Sequence, residues 1–171
     1  MSYAYITGLV VGVALAAAIL FFVGKRLHTD GSRKPKYDER QELLRGRGYK
    51  IAFFVTLVYL VIYGLLLQKV FAPLPGAFLG IVLGVTVYAS YTIWKDAYFA
   101  LNEKRKGYML LFAVIALINI LGGAGQLDTM MINGVVTGGG SINFMCAALM
   151  LVVLVELAIK GFVSCKEKDA E

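Results

Sequence analysis

A dense run of charge passes without a linker into apolar sequence at residues 36–57, KYDERQELLRGRGYKIAFFVTL. The charged half contains two glycines, Gly46 and Gly48, and the apolar half continues to about residue 71. A helix of about 20 apolar residues crosses a hydrocarbon layer of ~30 Å. The boundary near Lys50 is therefore typical of a helix that leaves a membrane at a basic surface.

Composition favours a membrane setting for the rest of the chain. Of 171 residues, 59% are hydrophobic and 16% are charged, whereas soluble domains average about 45–50% apolar and about 25% charged residues. A water-soluble core cannot bury so much apolar surface. The net charge of +6 therefore has to be interpreted from the positions of the basic residues, and we expect no nucleic-acid partner.

Five apolar segments have the length of a membrane span: 4–24, 51–71, 77–97, 108–125 and 143–163. They predict an all-α membrane protein, a bundle of five transmembrane helices that form a single transmembrane domain over residues 1–171. Lys25 and Arg26 follow the first segment, and no basic residue precedes it. A signal peptide carries its charge on the other side, so we expect this segment to be an anchor.

Lysine and arginine fall almost entirely on one side of this arrangement. Nine lie within residues 25–50, four within 95–106 and three from residue 160 onward, whereas Lys69 lies alone on the other side. Basic residues mark the cytoplasmic face of a membrane protein. We therefore expect an outer N-terminus, a cytoplasmic C-terminus and contact between the basic cytoplasmic segment 25–50 and anionic lipid.

The charged half of the opening stretch favours a helix that begins near Asp38, because acidic residues suit the first turn of a helix. Gly46 and Gly48 weaken such a helix and predict a bend. Two interpretations remain open, a solvated basic end of the second span or a docking surface for a cytoplasmic partner or lipid. The candidate docking residues are Asp38, Glu39, Arg40, Gln41, Arg45 and Arg47.

The same stretch carries a resemblance. Asp38-Glu39-Arg40-Gln41, followed by Arg45-Gly46 and Tyr49-Lys50 at the mouth of a hydrophobic span, resembles uncharacterised small multi-pass membrane proteins of Gram-positive bacteria with a juxtamembrane D-E-R-Q box. Such proteins are often encoded beside small helix-turn-helix regulators. The resemblance implies a bacterial membrane protein with a role in sensing, regulation or immunity to membrane-active peptides, and it implies no catalytic residue.

Polar side chains predict a layer near the middle of the bilayer. Counting ~1.5 Å per residue from the centre of each span places five of them there: Tyr59, Tyr63, Tyr88, Asn119 and Glu156. Polar groups at that depth are expected to face one another rather than lipid. Two interpretations of Glu156 remain open, a proton or cation site within this cluster or an ion pair with Lys160 one turn away. The first would suit an oligomeric channel or transporter for a small solute, ion or proton.

Glycines at four-residue spacing predict close helix packing. Gly8 and Gly12 form such a stripe in the first span, and Gly76, Gly80 and Gly84 form another in the third. Small residues let two helix backbones approach closely in a membrane. Packing within one chain is favoured over an interface between copies of the chain, although a homo-oligomer remains open.

Two connections are expected on the outer face. Residues 72–76, APLPG, predict a tight turn between the second and third spans. Residues 126–142 contain glycines that argue against a helix, and they are interpreted as a flexible connector or as a ligand lid.

Signatures of catalysis, metal binding and cofactor binding are missing from the sequence. His28 has no histidine or cysteine at ligand spacing. Cys146 and Cys165 lie too far apart along one predicted helix to pair. No HExxH or GxSxG motif occurs. We therefore expect no enzyme, no metal and no cofactor, but a small integral membrane protein that acts by contact with lipid or a protein partner.

Overall fold

The computed structural model describes residues 27–30 and 34–168, with side chains as far as Ser164. The predicted span 4–24, with Gly8 and Gly12, lies outside the described residues. The described chain is mainly helical and contains four helices long and apolar enough to cross a membrane. The prediction of a helical membrane protein is confirmed to that extent.

The first helix, α1, spans Glu39–Ile62 and continues as a π-helical turn, Tyr63–Leu67. The second, α2, spans Pro73–Trp94. Proline is tolerated at the first helical position because the N–H group that it lacks has no partner there. The tight turn predicted at 72–76 is therefore wrong in position, since the chain reverses over 68–72 and the prolines lie in the first turn of α2.

The third helix, α3, spans Arg105–Ala124, and the fourth, α4, spans Gly140–Lys168. Between them lie a 3-10 turn, Leu127–Thr129, and a two-stranded antiparallel hairpin formed by β1, Met131–Ile132, and β2, Val135–Val136. The connector predicted to be flexible therefore contains folded structure.

Backbone hydrogen bonds tie this hairpin to the other connection at the same end of the bundle. The turn residues Asn133 and Gly134 have φ of 52° and 77°, both in the left-handed region that two-residue hairpin turns require. The N–H of Val136 donates to the carbonyl of Val70 at 2.8 Å, and the N–H of Ala72 donates to the carbonyl of Val136 at 2.9 Å. The segment 68–72 thus lies beside β2.

Helix α2 lies at the centre of the described bundle, with α1 on one side and α4 on the other, and α3 packs against α4. Asp96 contacts both Gln41 and Lys160. These contacts lie at the end of the bundle where α1 and α3 begin and where α2 and α4 end. We call this the basic end, comprising residues 34–50, 95–106 and 157–164. Of the lysines and arginines whose side chains are described, only Lys69 lies at the opposite end.

The glycine stripe of α2 receives side chains of α1. Each glycine faces one of them, and the pairs are Gly76 with Tyr63, Gly80 with Tyr59 and Gly84 with Thr56. A Cβ atom at Gly76 would lie 2.1 Å from Cε2 of Tyr63, and one at Gly84 would lie 2.3 Å from Oγ1 of Thr56. Larger residues would therefore push the two helices apart.

Hydrophobic side chains cover the outside of the described bundle. Phe53 of α1 is 60% exposed, and large aliphatic residues on α3 and α4 are exposed as well. Such continuous apolar surface is unfavourable in water and indicates contact with hydrocarbon or with further protein. The small buried core, by contrast, includes Ala89, Ile93 and Val153 where α2 meets α4.

Candidate functional site at the basic end

The D-E-R-Q box begins α1. Oδ1 of Asp38 accepts a hydrogen bond from the N–H of Gln41 at 2.6 Å, and Oε1 of Gln41 accepts one from the N–H of Asp38 at 3.3 Å. This reciprocal pair is a capping box, which satisfies two backbone donors at the helix start. Glu39 is exposed in the first turn, where its charge suits the helix dipole. The helix start predicted near Asp38 is confirmed.

The other end of the Gln41 side chain holds the segment that follows α2. Its Nε2 donates to the carbonyls of Asp96 at 3.1 Å and Phe99 at 3.2 Å. Gln41 is 6% exposed, and a buried amide is costly unless such bonds are made. One side chain therefore caps α1 and fixes the chain after α2.

Two arginines of α1 extend this contact. Nη1 of Arg45 donates to the carbonyls of Ala97 at 3.3 Å and Tyr98 at 3.2 Å, and its guanidinium lies 4.0 Å from the ring centroid of Tyr37. Nη2 of Arg40 lies 3.5 Å from the carbonyl oxygen of Lys95. The carbonyls of residues 95–99 are thus all bound by α1 side chains.

Arg47 differs from these residues because it lies on the outer side of α1. Its side chain is exposed, as is that of Lys50. The predicted docking residues therefore divide into two groups. Asp38, Arg40, Gln41 and Arg45 make contacts within the chain, whereas Glu39 and Arg47 face outward.

The two glycines of this region also differ. A Cβ atom at Gly48 would lie 3.2 Å from ring atoms of both Tyr88 and Tyr91, whereas no heavy atom lies within 4 Å of one at Gly46. Gly48 allows α1 to approach α2 closely. The α-helix α1 continues through both positions, so the glycines do not break it into two segments.

Helix α2 ends in a Schellman motif at Asp96. Asp96 has φ of 56°, its N–H donates to the carbonyl of Ile93 at 3.2 Å, and the N–H of Ala97 donates to that of Thr92 at 2.8 Å. These two bonds satisfy the last carbonyls of the helix. The sharp reversal exposes consecutive carbonyls of residues 96–99 to the donors of α1.

The predicted ion pair between Glu156 and Lys160 is wrong. Nζ of Lys160 lies 3.0 Å from Oδ2 of Asp96, because the reversal at the end of α2 directs the Asp96 carboxylate toward α4. Oε1 of Glu156 instead accepts a hydrogen bond from Oγ of Ser90 at 2.7 Å. Its Oε2 is buried and has no hydrogen-bond partner among the described residues.

The tyrosines of the predicted midplane cluster bind locally. The hydroxyl of Tyr59 donates to the carbonyl of Gly76 at 2.8 Å, and that of Tyr63 donates to Phe71 at 3.4 Å. Tyr88 lies nearer the basic end, where its ring stacks on Tyr49 with centroids 4.3 Å apart. Tyr59 and Tyr63 therefore tie α1 to α2 and the adjoining connection.

Asn119 is also remote from Glu156. Its Nδ2 donates to the carbonyl of Ile115 in its own helix at 2.9 Å. A Cβ atom at Gly122, three residues further along α3, would lie 3.4 Å from Asn143, so these two residues lie at the same level of the bundle. Asn119 lies three residues from that level and Glu156 lies thirteen, both toward the basic end. At ~1.5 Å per residue the two side chains are therefore about 15 Å apart along the bundle. The single predicted cluster is wrong, because α4 is longer than α3 and the centres of the two helices do not coincide.

The other side of the segment 95–104 is bound to residues that precede α1. The N–H of Lys36 donates to Oδ1 of Asn102 at 2.9 Å, and the N–H of Thr29 donates to the Asn102 carbonyl at 2.8 Å. Oε2 of Glu103 accepts a hydrogen bond from the N–H of Ala100 at 2.8 Å. Sequence patterns missed this segment because it has no apolar periodicity, although hydrogen bonds to the side chains of Asn102 and Glu103 hold it in place.

A cavity of about 210 Å³ lies between α1, α2, α3 and this segment. Four tyrosines, Arg45 and Glu103 contribute to its lining, the tyrosines being Tyr37, Tyr88, Tyr98 and Tyr108. Burial, followed by the negative charge of Glu103, raises the pKa of the Tyr98 hydroxyl to about 12. The Tyr98 hydroxyl therefore stays protonated and uncharged at neutral pH.

A second cavity, of about 370 Å³, opens at the basic end between α3 and α4. Its apolar walls include Ile93, Phe99, Met109 and Leu157, and Arg105 and Lys160 are among its charged residues. The segment 95–99, which α1 holds in place, forms one side. We call it the α3–α4 cavity.

Within the described part of the chain, no group of three or more histidine, cysteine, aspartate or glutamate residues is arranged to hold a metal ion. Comparison of the whole chain with protein-family models, curated proteins and solved structures gives no match. A functional hypothesis therefore has to rest on the chemistry of the basic end.

Proposed function

We propose that the protein is a multi-pass protein of the bacterial cytoplasmic membrane with five spans, an outer N-terminus and a cytoplasmic C-terminus. Four membrane-length helices support this proposal, as does the apolar segment 4–24 in the sequence. The gathering of basic side chains at one end of the bundle favours a cytoplasmic location for that end.

We further propose that the protein acts by contact, through the basic end, with anionic lipid or a protein partner in a sensing, regulatory or immunity role. The observation that carries this proposal is the division of the basic end into two parts. Arg45 and Gln41 make it rigid from within, whereas Arg47 and Lys50 remain exposed and form no ion pair with the described residues. Exposed cations on a fixed surface suit an anionic partner.

Charge reversal tests this function. During purification in mild detergent, the wild type should retain anionic phospholipid or a protein partner. The double variant R47E/K50E should retain about tenfold less of it, because each basic side chain near an anionic surface contributes about 1 kcal/mol to binding. K69E is the matched control at the opposite end and should retain both. Lipid is measured by mass spectrometry after extraction, and membrane insertion by resistance to alkaline washing. Equal retention by the double variant and the wild type would contradict the proposal.

A second candidate function, an oligomeric channel or transporter for a small solute, ion or proton, is favoured by Glu156. Its buried Oε2 without a partner among the described residues, beside the Ser90 hydroxyl, could bind a proton or cation. Wild-type protein in vesicles should then dissipate a proton or cation gradient, and E156Q should not. A wild-type protein that leaves every such gradient intact would exclude this function.

A further inference from the structure

We propose that the α3–α4 cavity binds one anionic phospholipid of the inner leaflet, with its phosphate at Arg105 and the start of its acyl chains along Met109 and Leu157. This inference rests on the proposed membrane orientation. It assigns a specific site and ligand class to a contact that is otherwise a property of the whole basic end.

The cavity has two chemical halves, as a phospholipid has. Ile93, Met109 and Leu157 form an apolar part, whereas Arg105 and Lys160 bring positive charge to the same space. Its volume of about 370 Å³ suits a headgroup and the first methylenes, not a whole lipid. Binding sites of this size combine apolar walls with a few placed polar groups.

The charges favour an anion. Lys160 is paired with Asp96 at 3.0 Å, so these two side chains nearly balance. Arg105 is exposed and has no carboxylate oxygen within 4 Å among the described residues. Its guanidinium lies 5.8 Å from the ring centroid of Phe99. A guanidinium can bind two phosphate oxygens at once, which makes arginine a strong phosphate ligand.

The surroundings of the cavity favour a lipid over a soluble anion. Leu110, next to Met109 in the chain, is 68% exposed, and Phe162, next to Gly161, is 79% exposed. The lining residues are thus flanked by apolar surface that suits hydrocarbon. Acyl chains could continue from the cavity over this surface without passing through water.

The site is also preformed. The backbone of residues 96–99, which borders the cavity, is fixed by hydrogen bonds from Gln41 and Arg45. A ligand therefore does not have to order this segment, and preorganisation of this kind strengthens binding. The D-E-R-Q box would thereby support lipid binding without touching the lipid.

The experiment compares two neighbouring cations. R105Q removes a positive charge that lines the cavity, and K106Q removes one from the next residue, which is exposed and is not among the lining residues. Full-length protein in detergent is titrated with phosphatidylglycerol or phosphatidylcholine, and bound lipid is counted by native mass spectrometry. We expect R105Q to weaken phosphatidylglycerol binding about tenfold, because it removes the charged donor to the phosphate, and K106Q to change this binding by no more than about twofold.

A second variant tests the cavity without changing charge. No heavy atom lies within 4 Å of a Cβ atom at Gly161, so G161L should fold, and its side chain should occupy the cavity and lower phosphatidylglycerol binding as R105Q does. Equal losses in R105Q and K106Q, unchanged binding in G161L, or equal wild-type affinity for phosphatidylcholine would overturn the proposal. Competition by soluble glycerol phosphate as strong as that by the lipid would also overturn it, because the ligand would then be a free anion.

Failure of this inference is distinguishable from failure of the proposed function. If R47E/K50E loses lipid while R105Q retains it, contact at the basic end stands and the cavity proposal is wrong. If a membrane-impermeant thiol reagent labels K36C in intact cells, with both native cysteines replaced, the basic end is outside and the proposed orientation is wrong. The detergent titration would then still report whether the cavity binds the lipid.

Discussion

The two ends of the bundle are held together in different ways. At the basic end, side chains of α1 bind consecutive carbonyls of residues 95–99, and Asn102 binds the segment that precedes α1. At the opposite end, backbone hydrogen bonds join a hairpin at 131–136 to the connection 68–72. Polar side chains of α1 therefore hold the chain after α2 at the first end, whereas backbone hydrogen bonds join the two connections at the second, where the Tyr63 hydroxyl adds a side-chain bond to Phe71. Side-chain substitutions should consequently affect the basic end more strongly.

The largest effect is expected for Gln41→Glu. The shape of the side chain is retained, but the Nε2 that donates to the carbonyls of Asp96 and Phe99 becomes an oxygen that repels them. Because Gln41 is 6% exposed, we expect the free energy of unfolding to fall by about 3 kcal/mol. Unfolding in detergent, followed by circular dichroism during heating or denaturant titration, measures it.

Glu39→Gln is the matched control, because it makes the reverse change of charge at an exposed position in the same turn. Its effect should stay within about 0.5 kcal/mol. If the two variants unfold alike, the hydrogen bonds from α1 to the segment after α2 do not determine the stability of the basic end.

An intermediate effect is expected from Tyr98 at high pH. Burial and Glu103 raise the pKa of its hydroxyl from 10.0 to about 12, so between these values the folded state keeps a proton that the unfolded state has lost. This contribution to stability is fully present below pH 10 and is lost as the pH rises toward 12. Two pKa units correspond to at most ~2.7 kcal/mol, and we expect about 2.

Tyr98→Phe separates this contribution from packing. The ring contact with Phe99, whose centroid lies 5.0 Å away, is retained, and only the ionisable group is removed. The variant should lose less stability than the wild type between pH 10 and pH 12. Unfolding curves at several pH values, with tyrosinate absorbance as the second signal, measure the difference. The same pH dependence in both proteins would show that Tyr98 does not report on the basic end.

The sequence predicted the helices better than the contacts between them. Three apolar segments match α2, α3 and α4 to within about five residues at each end, whereas the segment 51–71 begins 12 residues after the start of α1. The start of α1 was predicted instead from its capping residue Asp38, because span length and helix capping are local signals. The box residues were recognised, but their acceptors were not, since a backbone carbonyl has no sequence signature. From the sequence alone, Arg45 could therefore be assigned either to docking with a partner or to a contact within the chain.

The incorrect predictions arose where the register between helices decides the answer. Counting residues along each span placed Asn119 near Glu156, and Glu156 beside Lys160. Such a count does not show how far α3 and α4 are shifted along the bundle axis relative to each other. The left-handed conformation of Asp96, which supplies the partner of Lys160, is likewise set by the end of α2. At 126–142 the Asn-Gly pair was a usable hairpin signal, but the neighbouring glycines dominated the interpretation.

The smallest effect concerns the turn at the opposite end. Gly134 has φ of 77°, and no heavy atom lies within 4 Å of a Cβ atom placed there. Gly134→Ala should therefore lower stability through backbone conformation alone, by about 1 kcal/mol. Gly46→Ala is the matched variant, because Gly46 has equally open surroundings but lies within α1. There alanine should raise stability, by up to about 1 kcal/mol, because it favours helix. Opposite signs in the same unfolding measurement would show that turn geometry determines one end and helix formation supports the other, whereas equal signs would contradict that distinction.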